Sequence, residues 1–271
     1  MFGFRVPLPS LIGLVVLLAW AVVAIAAPLL VPYSVGEIVD FDIFGPATDQ
    51  FWFGTDYLGR DVFSRILMGA RVTIGISLAA VTLAVVAGVG LGMLAALLGG
   101  KFDSLLSRFF DALSSIPNKL FALVAVAGGG SSIPMLIAIL ALIYTPGSYR
   151  FARSLAVNIN AMDYVIVARL RGESFFYLAR AEILPNILGP VLTDFGLRFV
   201  FIVLLLSSLS FLGLGVQPPL ADWGALVREN IGGLPFGAPA VILPSLAIAS
   251  LTIAVNITID NLPRKIRDRS A

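Results

Sequence analysis

The stretch Asp163-Tyr-Val-Ile-Val-Ala-Arg-Leu-Arg-Gly-Glu-Ser-Phe-Phe-Tyr-Leu-Ala-Arg-Ala-Glu-Ile-Leu-Pro-Asn186 is the longest charged interval in a chain that is otherwise mostly apolar. Asp163 can cap a short helix running to about Arg171, and Gly172 can supply the positive-φ residue that ends it. Ser174 can cap a second short helix, which Pro185 closes. Two short helices hinged at a glycine, between long apolar segments, have the form of a docking device.

The apolar surroundings set the class. Of 271 residues, 59% are hydrophobic and 13% charged, whereas soluble domains carry about 25% charged residues. Such a chain cannot bury its apolar surface internally and stay soluble, so it is an integral membrane protein. A net charge of +2, with Lys and Arg scattered rather than striped, gives no footprint for nucleic acid. There is no cysteine and no histidine, which removes disulfides, thiolate metal sites and the commonest acid–base side chain.

Outward from the charged stretch, six apolar runs can be counted, on the scale of the roughly 20 residues needed to cross a bilayer. They cover Leu11 to Val31, Val72 to Leu98, Pro117 to Ala127, Met135 to Tyr149 with an interruption at Pro146-Gly147, Leu188 to Leu212, and Val241 to Leu262. The first could instead be a signal peptide, because Ala24-Ile-Ala26 resembles a cleavage site. Against that, the run continues through Pro28-Leu-Leu-Val31, and only Arg5 precedes it as a positive charge. Gly88, Gly90 and Gly92 offer a small-xxx-small face for close helix contact, or reflect only the frequency of glycine in membrane helices.

An even number of spans puts both termini on one side. That side holds 12 Lys and Arg, from Arg5 through Lys101 and the five arginines between Arg150 and Arg180 to the basic C-terminal end, against four on the other. By the positive-inside rule the richer side is cytoplasmic, and with it both termini and Asp163–Asn186.

No energy source is encoded there. The nearest approach to a phosphate loop is Gly99-Gly-Lys101, but Phe102 stands where Ser or Thr is required and Ala95 where the first glycine belongs. No carboxylate cluster has metal-ligand spacing. The chain is therefore expected to have no catalytic residues and no metal or cofactor of its own.

Several stretches together resemble the permease subunits of ABC importers. Gly172 followed by Leu184-Pro185 matches the Gly-x(11)-Leu-Pro half of that family's signature. Phe53-Gly-Thr-Asp-Tyr-Leu-Gly-Arg-Asp-Val-Phe-Ser-Arg65 with Met68-Gly-Ala-Arg71, Ser207-Ser-Leu-Ser-Phe-Leu-Gly-Leu-Gly-Val-Gln-Pro-Pro219 with Asp222-Trp-Gly224, and Asp111 with Ile116-Pro117 are similar to the second permease subunit of its dipeptide/oligopeptide/nickel branch. The chain departs from the signature at its start, where Ile166-Val167-Ala168 replaces Glu-Ala-Ala, and carries Glu182 where the peptide branch often has His.

The resemblance implies an all-α type I importer membrane domain of six transmembrane helices with short cytoplasmic coupling helices. It divides the chain into residues 1–70 (a first helix and an extracytoplasmic segment), 71–265 (the permease domain, with a coupling loop over 150–186) and a cytoplasmic tail, 266–271. It further implies half of a translocation path in the bacterial inner membrane, for a peptide or peptide-like solute, with nickel, opines or sugars as alternatives. The implied partners are a second permease chain, two ATPases carrying ATP and Mg, and an extracytoplasmic solute-binding protein. The coupling residues would be Asp163, Tyr164, Ala168, Arg169, Arg171, Gly172, Glu173, Ser174, Leu184 and Pro185. A self-sufficient secondary transporter would want inverted repeats or mid-membrane ionisable chains, and an intramembrane enzyme a nucleophile–base pair or metal ligands.

On the other side, Asp56, Arg60, Asp61 and Arg65 are spaced so that they could pair along a helix. Together with Asp222 and Trp223 they read either as an ion-paired cap over the bundle or as a gate and contact for the binding protein or partner permease. Trp52, Phe53, Tyr57 and Trp223 are expected at the membrane interface. The pairs Asp194/Arg198 and Asn256/Asp260, each four residues apart, and Lys119 are expected in helix packing rather than in substrate contact. No substrate-binding residue is assigned.

Overall fold

A computed structural model describes residues 8–260. Arg5, the basic residues beyond Asp260 and the proposed 266–271 tail lie outside the described residues. Among the described residues the chain is helical, with a single isolated bridge between Thr55 and Asp61. The principal helices are α1 (Leu8–Leu30), α2 (Val62–Leu98), α3 (Gly100–Ser114), α4 (Asn118–Gly129), α5 (Ile133–Asn160), α6 (Asp163–Leu170), α7 (Phe175–Tyr177), α8 (Leu184–Phe211), α9 (Trp223–Glu229) and α10 (Pro239–Asp260). Five stretches are long and apolar enough to cross a membrane: α1, α2, α5, the continuous run Phe175–Phe211, and α10.

A sixth span exists only if α3 and α4, bent by 84° at their junction, count together. The expected third span is thus the weakest of the six. Its 12 helical residues reach about 18 Å at 1.5 Å per residue, short of a hydrocarbon core of about 30 Å. The break falls at Ile116-Pro117, where proline cannot continue the preceding turn. The expected fourth span is not interrupted at Pro146-Gly147, because α5 runs through both to Asn160.

The described residues form two compact units interleaved in sequence. One contains residues up to Ala79, Leu123–Ile137 and those from Phe199 onward; the other contains Ala80–Ala122 and Ala138–Arg198. In the first unit α1 lies along α10. Gly13 brings the α1 backbone so close to Thr258 and Ala254 that a Cβ would stand 2.7 Å from the Thr258 hydroxyl, and Trp20 Nε1 donates to Ser250 Oγ at 3.0 Å. The first run is therefore built into the bundle, as a span is. The centre of this unit is Trp223. Its ring meets Trp20 edge-on at 4.8 Å, its Nε1 donates to the Ile66 carbonyl at 3.1 Å, and its backbone N–H donates to Thr73 Oγ1 at 3.1 Å.

In the second unit Gly88 and Gly92 of α2 face α5. A Cβ at Gly88 would lie 2.6 Å from Ser148 Cβ, and one at Gly92 would lie 2.8 Å from the Arg153 backbone nitrogen. Of the two readings of these glycines, close helix contact is the one realised. Lipid tails are as apolar as Leu, so membrane helices gain little by hiding apolar area and associate by tight packing instead. Gly90 faces open space and has no part in it. Alongside, α3 seats Phe110 on Tyr149 with ring centroids 4.5 Å apart, and Asp103 pairs bidentately with Arg153. The Asp194/Arg198 pair forms as expected within α8, at 2.5 Å, and the guanidinium also reaches the Tyr144 carbonyl at 3.4 Å.

Candidate functional site

The stretch Asp163–Asn186 keeps its glycine hinge but differs at both ends. Met162, not Asp163, is the N-cap of α6, without a side-chain capping bond; Asp163 lies in the first turn, where its charge still complements the helix dipole. The helix ends in a Schellman motif. The Gly172 N–H donates to the Arg169 carbonyl at 3.0 Å and the Glu173 N–H to the Ala168 carbonyl at 3.2 Å. This requires the left-handed φ of 82° found at Gly172. Ser174 then caps the next helix as expected, its Oγ accepting from the Tyr177 N–H at 3.2 Å.

That second helix is not short, and Pro185 does not close it. The chain passes from α7 through a π-helical turn over Leu178–Ile183 into α8. Proline in a regular helix clashes with the carbonyl four residues back and lacks an N–H. A π turn just before Pro185 widens the ladder and lets the helix continue. The hinge therefore joins one short helix to the first turns of a 37-residue run long enough to cross the membrane.

Val165 and Ala168 of α6 and Leu178 and Ile183 of the π turn are buried, and Asn186 Nδ2 donates to the Tyr164 hydroxyl at 3.1 Å. Arg169 reaches back to Asn160 Oδ1 at 2.7 Å. Of the expected coupling residues, Asp163, Tyr164, Arg169, Arg171, Gly172, Ser174 and Pro185 are exposed, Glu173 and Leu184 are half-buried, and Ala168 is buried. Large apolar side chains stand outward among them, with Leu170 82% and Phe176 68% exposed, and Ile166 and Val167 near them in sequence. An apolar surface rimmed by charge is the pattern of a protein contact.

The second charged region behaves oppositely. Asp56, Arg60 and Asp61 lie in the non-helical segment ahead of α2, which begins only at Val62, so the expected pairing along one helix does not occur. Asp56 instead closes a tight turn, its Oδ1 accepting from the N–H groups of Leu58 at 2.8 Å and Arg60 at 2.9 Å. Its Oδ2 pairs with Arg60 at 2.7 Å and Arg65 at 2.6 Å, and both arginines also pair with Glu229 of α9, at 2.8 and 2.9 Å. The turn depends on Gly59, at φ 73°, whose missing Cβ makes room for the Asp40 carbonyl. Burial works against the Arg60 charge, but the Asp56 and Glu229 carboxylates outweigh it and hold its pKa above the ordinary value. Glu229, 164 residues from Arg65, closes the quartet, and no local spacing announces it.

Asp222 and Trp223 are fully buried. Trp223 is thus a packing centre rather than an interface marker; of the four aromatics expected at the interface, Trp52 is 64% exposed. Asp222 caps α9, its Oδ1 accepting from the Ala225 N–H at 3.1 Å. Burial pushes its carboxyl up to about 6, with the Ser210 hydroxyl and nearby backbone amides acting in the opposite direction. Among the described residues no cluster of Asp and Glu could hold a metal ion.

Residues 88–268 match the family described as "Binding-protein-dependent transport system inner membrane component". The chain is 31% identical over 253 residues to the dipeptide transport system permease protein DppC of Alkalihalophilus pseudofirmus, covering 93% of this chain and 83% of that protein. It is 34% identical over 252 residues to the glutathione transport system permease protein GsiD of Pectobacterium atrosepticum, covering 92% and 83%. Among solved structures, the inward-facing MetNI methionine ABC transporter matches with a TM-score of 0.59 at 15% identity, over 74% of this chain and 94% of that one; this is a likeness of fold. A multi-pass helical chain with a hinged, apolar, charge-rimmed helix and this spread of similarity belongs to the binding-protein-dependent transport system inner membrane component family, the membrane subunits of ABC importers.

Proposed function

We propose that this chain forms half of the translocation path of an ATP-driven importer for peptide-like solutes. In this reading it works with a second permease chain, two ATPases that carry ATP and Mg, and a solute-binding protein on the far side of the membrane. One observation carries the reading: exposed apolar side chains on α6 and α7 flank the Gly172 hinge, and α7 continues without a break into a membrane-crossing helix. An ATPase seated against Leu170 and the surrounding Arg169, Arg171 and Glu173 on one side of the hinge, and against Phe176 on the other, can push on a rigid rod that begins at Phe175 and whose other end lies in the bilayer. A flexible loop could not pass on such a rigid-body motion. The basic residues favour a cytoplasmic face for this segment and cytoplasmic termini.

Peptide-like cargo is favoured because relatives that match most of the chain are named for dipeptide and glutathione transport. The test is reconstitution with a partner permease, ATPases and a binding protein of such an importer. ATP-dependent uptake of a di- or tripeptide is expected, and it should vanish when the ATPases are left out. Uptake of solute by this chain alone would overturn the reading. A single cysteine placed at Arg169, in a chain with no other, should react only with reagents supplied from the cytoplasmic side.

A further inference from the structure

Arg228 is the cation that the Asp56–Arg60–Arg65–Glu229 quartet leaves out. It lies in the last turn of α9, next to Glu229 in sequence. Glu229 Oε2 is shared between Arg60 and Arg65, and among the described residues no carboxylate pairs with Arg228. The side chain is exposed, yet it is held in place. Gly213 has a φ of 85°, and a Cβ there would stand 2.7 Å from Arg228 Cζ and 2.8 Å from both Nη1 and Nη2. The guanidinium thus rests on the Gly213 backbone, in space that a side chain would otherwise fill. A cation already positioned in this way pays less ordering entropy when an anion binds it.

Arg228 lines a pocket of about 380 Å³ together with Tyr57, Val216, Gln217, Pro218 and Glu229. Gln217 shows where the guanidinium stands in that wall. Its Nε2 donates at 3.1 Å to the carbonyl of Gly213, the glycine on which the guanidinium rests, and at 2.9 Å to the Gly215 carbonyl. The amide and the guanidinium are therefore neighbours, the amide with its N–H groups spent on the backbone and the guanidinium with its own unspent among the described residues. Tyr57 is fixed as well, by its N–H to Asn230 Oδ1 at 3.1 Å and by Arg60 Cζ 5.0 Å from its ring centroid. The pocket follows the Phe211 end of α8, whereas the hinge precedes the Leu184 end. With the hinge in the cytoplasm, the pocket faces the side from which solute arrives.

We infer that this pocket receives the C-terminal carboxylate of a short peptide, with Arg228 as its counter-ion. The planar fork of a guanidinium matches the two oxygens of a carboxylate. Ligand pockets begin at about 300 Å³, so the volume admits a small peptide. Val216 and Pro218 supply apolar wall for its side chains. A doubly charged phosphate would suit the fork too, but it would meet more repulsion from the Glu229 carboxylate on the same wall than a single negative charge does. The inference rests on the peptide-import reading and adds to it a binding residue on the entry side.

The experiment uses the full chain in phosphatidylcholine nanodiscs, labelled with 3-fluorotyrosine, which gives six fluorine resonances. The Tyr57 resonance is assigned with Tyr57→Phe. The sample is titrated with N-acetyl-alanyl-alanine, with the C-terminal amide of the same peptide, and with inorganic phosphate at equal ionic strength. The Tyr57 resonance should move saturably with the acid and stay fixed with the amide. Arg228→Gln should raise the acid concentration needed for half the shift by about tenfold, the equivalent of one charged hydrogen bond. The other tyrosine resonances, at their parental positions, show that this variant keeps its fold. Arg228→Lys keeps the charge without the fork and should fall between the two. An equal response to the amide or to phosphate, an unchanged midpoint in Arg228→Gln, or no response to the acid would overturn the proposal. No ATPase or binding protein is needed here, so the two readings fail separately: ATP-driven uptake without a Tyr57 response sinks this inference alone, and a Tyr57 response without such uptake sinks the importer reading.

Discussion

The two charged regions of this protein are similar in sequence density and opposite in what they do with their charge. Asp56, Arg60, Arg65 and Glu229 are turned inward and pair with one another. Arg169, Arg171 and Arg180 are turned outward, and α6 shows apolar side chains between them. Desolvating four charges is expensive and is recovered only in good geometry, so the inward cluster resists rearrangement and ties α9 to the start of α2. The outward arginines keep their hydration and bind little within the chain, which leaves them free for a partner. A cluster already saturated internally makes a poor contact site, and an unsaturated one makes a good one. The contrast favours the fixed-cap reading for Asp56, Arg60 and Arg65, and the docking reading for the hinge.

The largest effect is expected from breaking the inward cluster. Arg65→Ala leaves Asp56 and Glu229 with Arg60 alone and should lower stability by about 3–5 kcal/mol, read as a drop in the melting temperature of the detergent-purified chain. A loss under about 1 kcal/mol would mean that the quartet is solvated after all.

Asp222 gives the next largest effect, and it depends on pH. Its folded pKa of about 6 lies above the ordinary 3.8, so the native protein holds the proton more tightly than the unfolded chain. The associated stabilisation is fully present below pH 3.8 and is lost as pH rises through about 6. The difference corresponds to about 3 kcal/mol. Asp222→Asn keeps the cap on α9 and removes the titration, so the melting temperature of the variant should gain on that of the parent as pH rises from 3.8 to about 6 and run parallel to it above that. Parallel pH profiles would show that Asp222 is not desolvated.

At the hinge, a smaller cost is expected. No atom lies within 4 Å of where a Cβ at Gly172 would stand, so the penalty of Gly172→Val comes from its φ of 82° alone, about 1–2 kcal/mol. Hydrogen exchange should show α6 loosened, and ATPase copurification should fall while the chain still inserts. Gly172→Asn, which tolerates that conformation, should keep more of the copurification than Val does. The smallest effect on stability belongs to the outward residues. Arg171→Ala or Leu170→Ser should change it by no more than about 0.5 kcal/mol while weakening ATPase copurification, the reverse of what Arg65→Ala should do.

The spans, the glycine hinge and the Ser174 cap were legible in the chain because each depends on neighbours within a few residues or on total apolar length. Three misreadings share a physical cause. Pro185 and Pro146 read as breaks, but a π turn before Pro185 and the continuous α5 carry helices through both. Local rules state what proline costs and not what its surroundings can absorb. Trp223 read as an interface aromatic because amphipathic rings favour that level, yet a carbonyl of α2 accepts its N–H and lets it sink into the core.

By itself, then, the sequence determined that this protein lies in a membrane, where its five longest apolar runs fall, and where a glycine must turn. Composition and short-range backbone sterics decide these, and neither needs a distant partner. Only the tertiary structure decided which charges are spent on each other and which are left for others. Arg65 finds Glu229 across 164 residues, and Asp61 finds no cation among the described residues. Pairing energies depend on separation and burial in three dimensions, and the linear spacing of charges encodes neither.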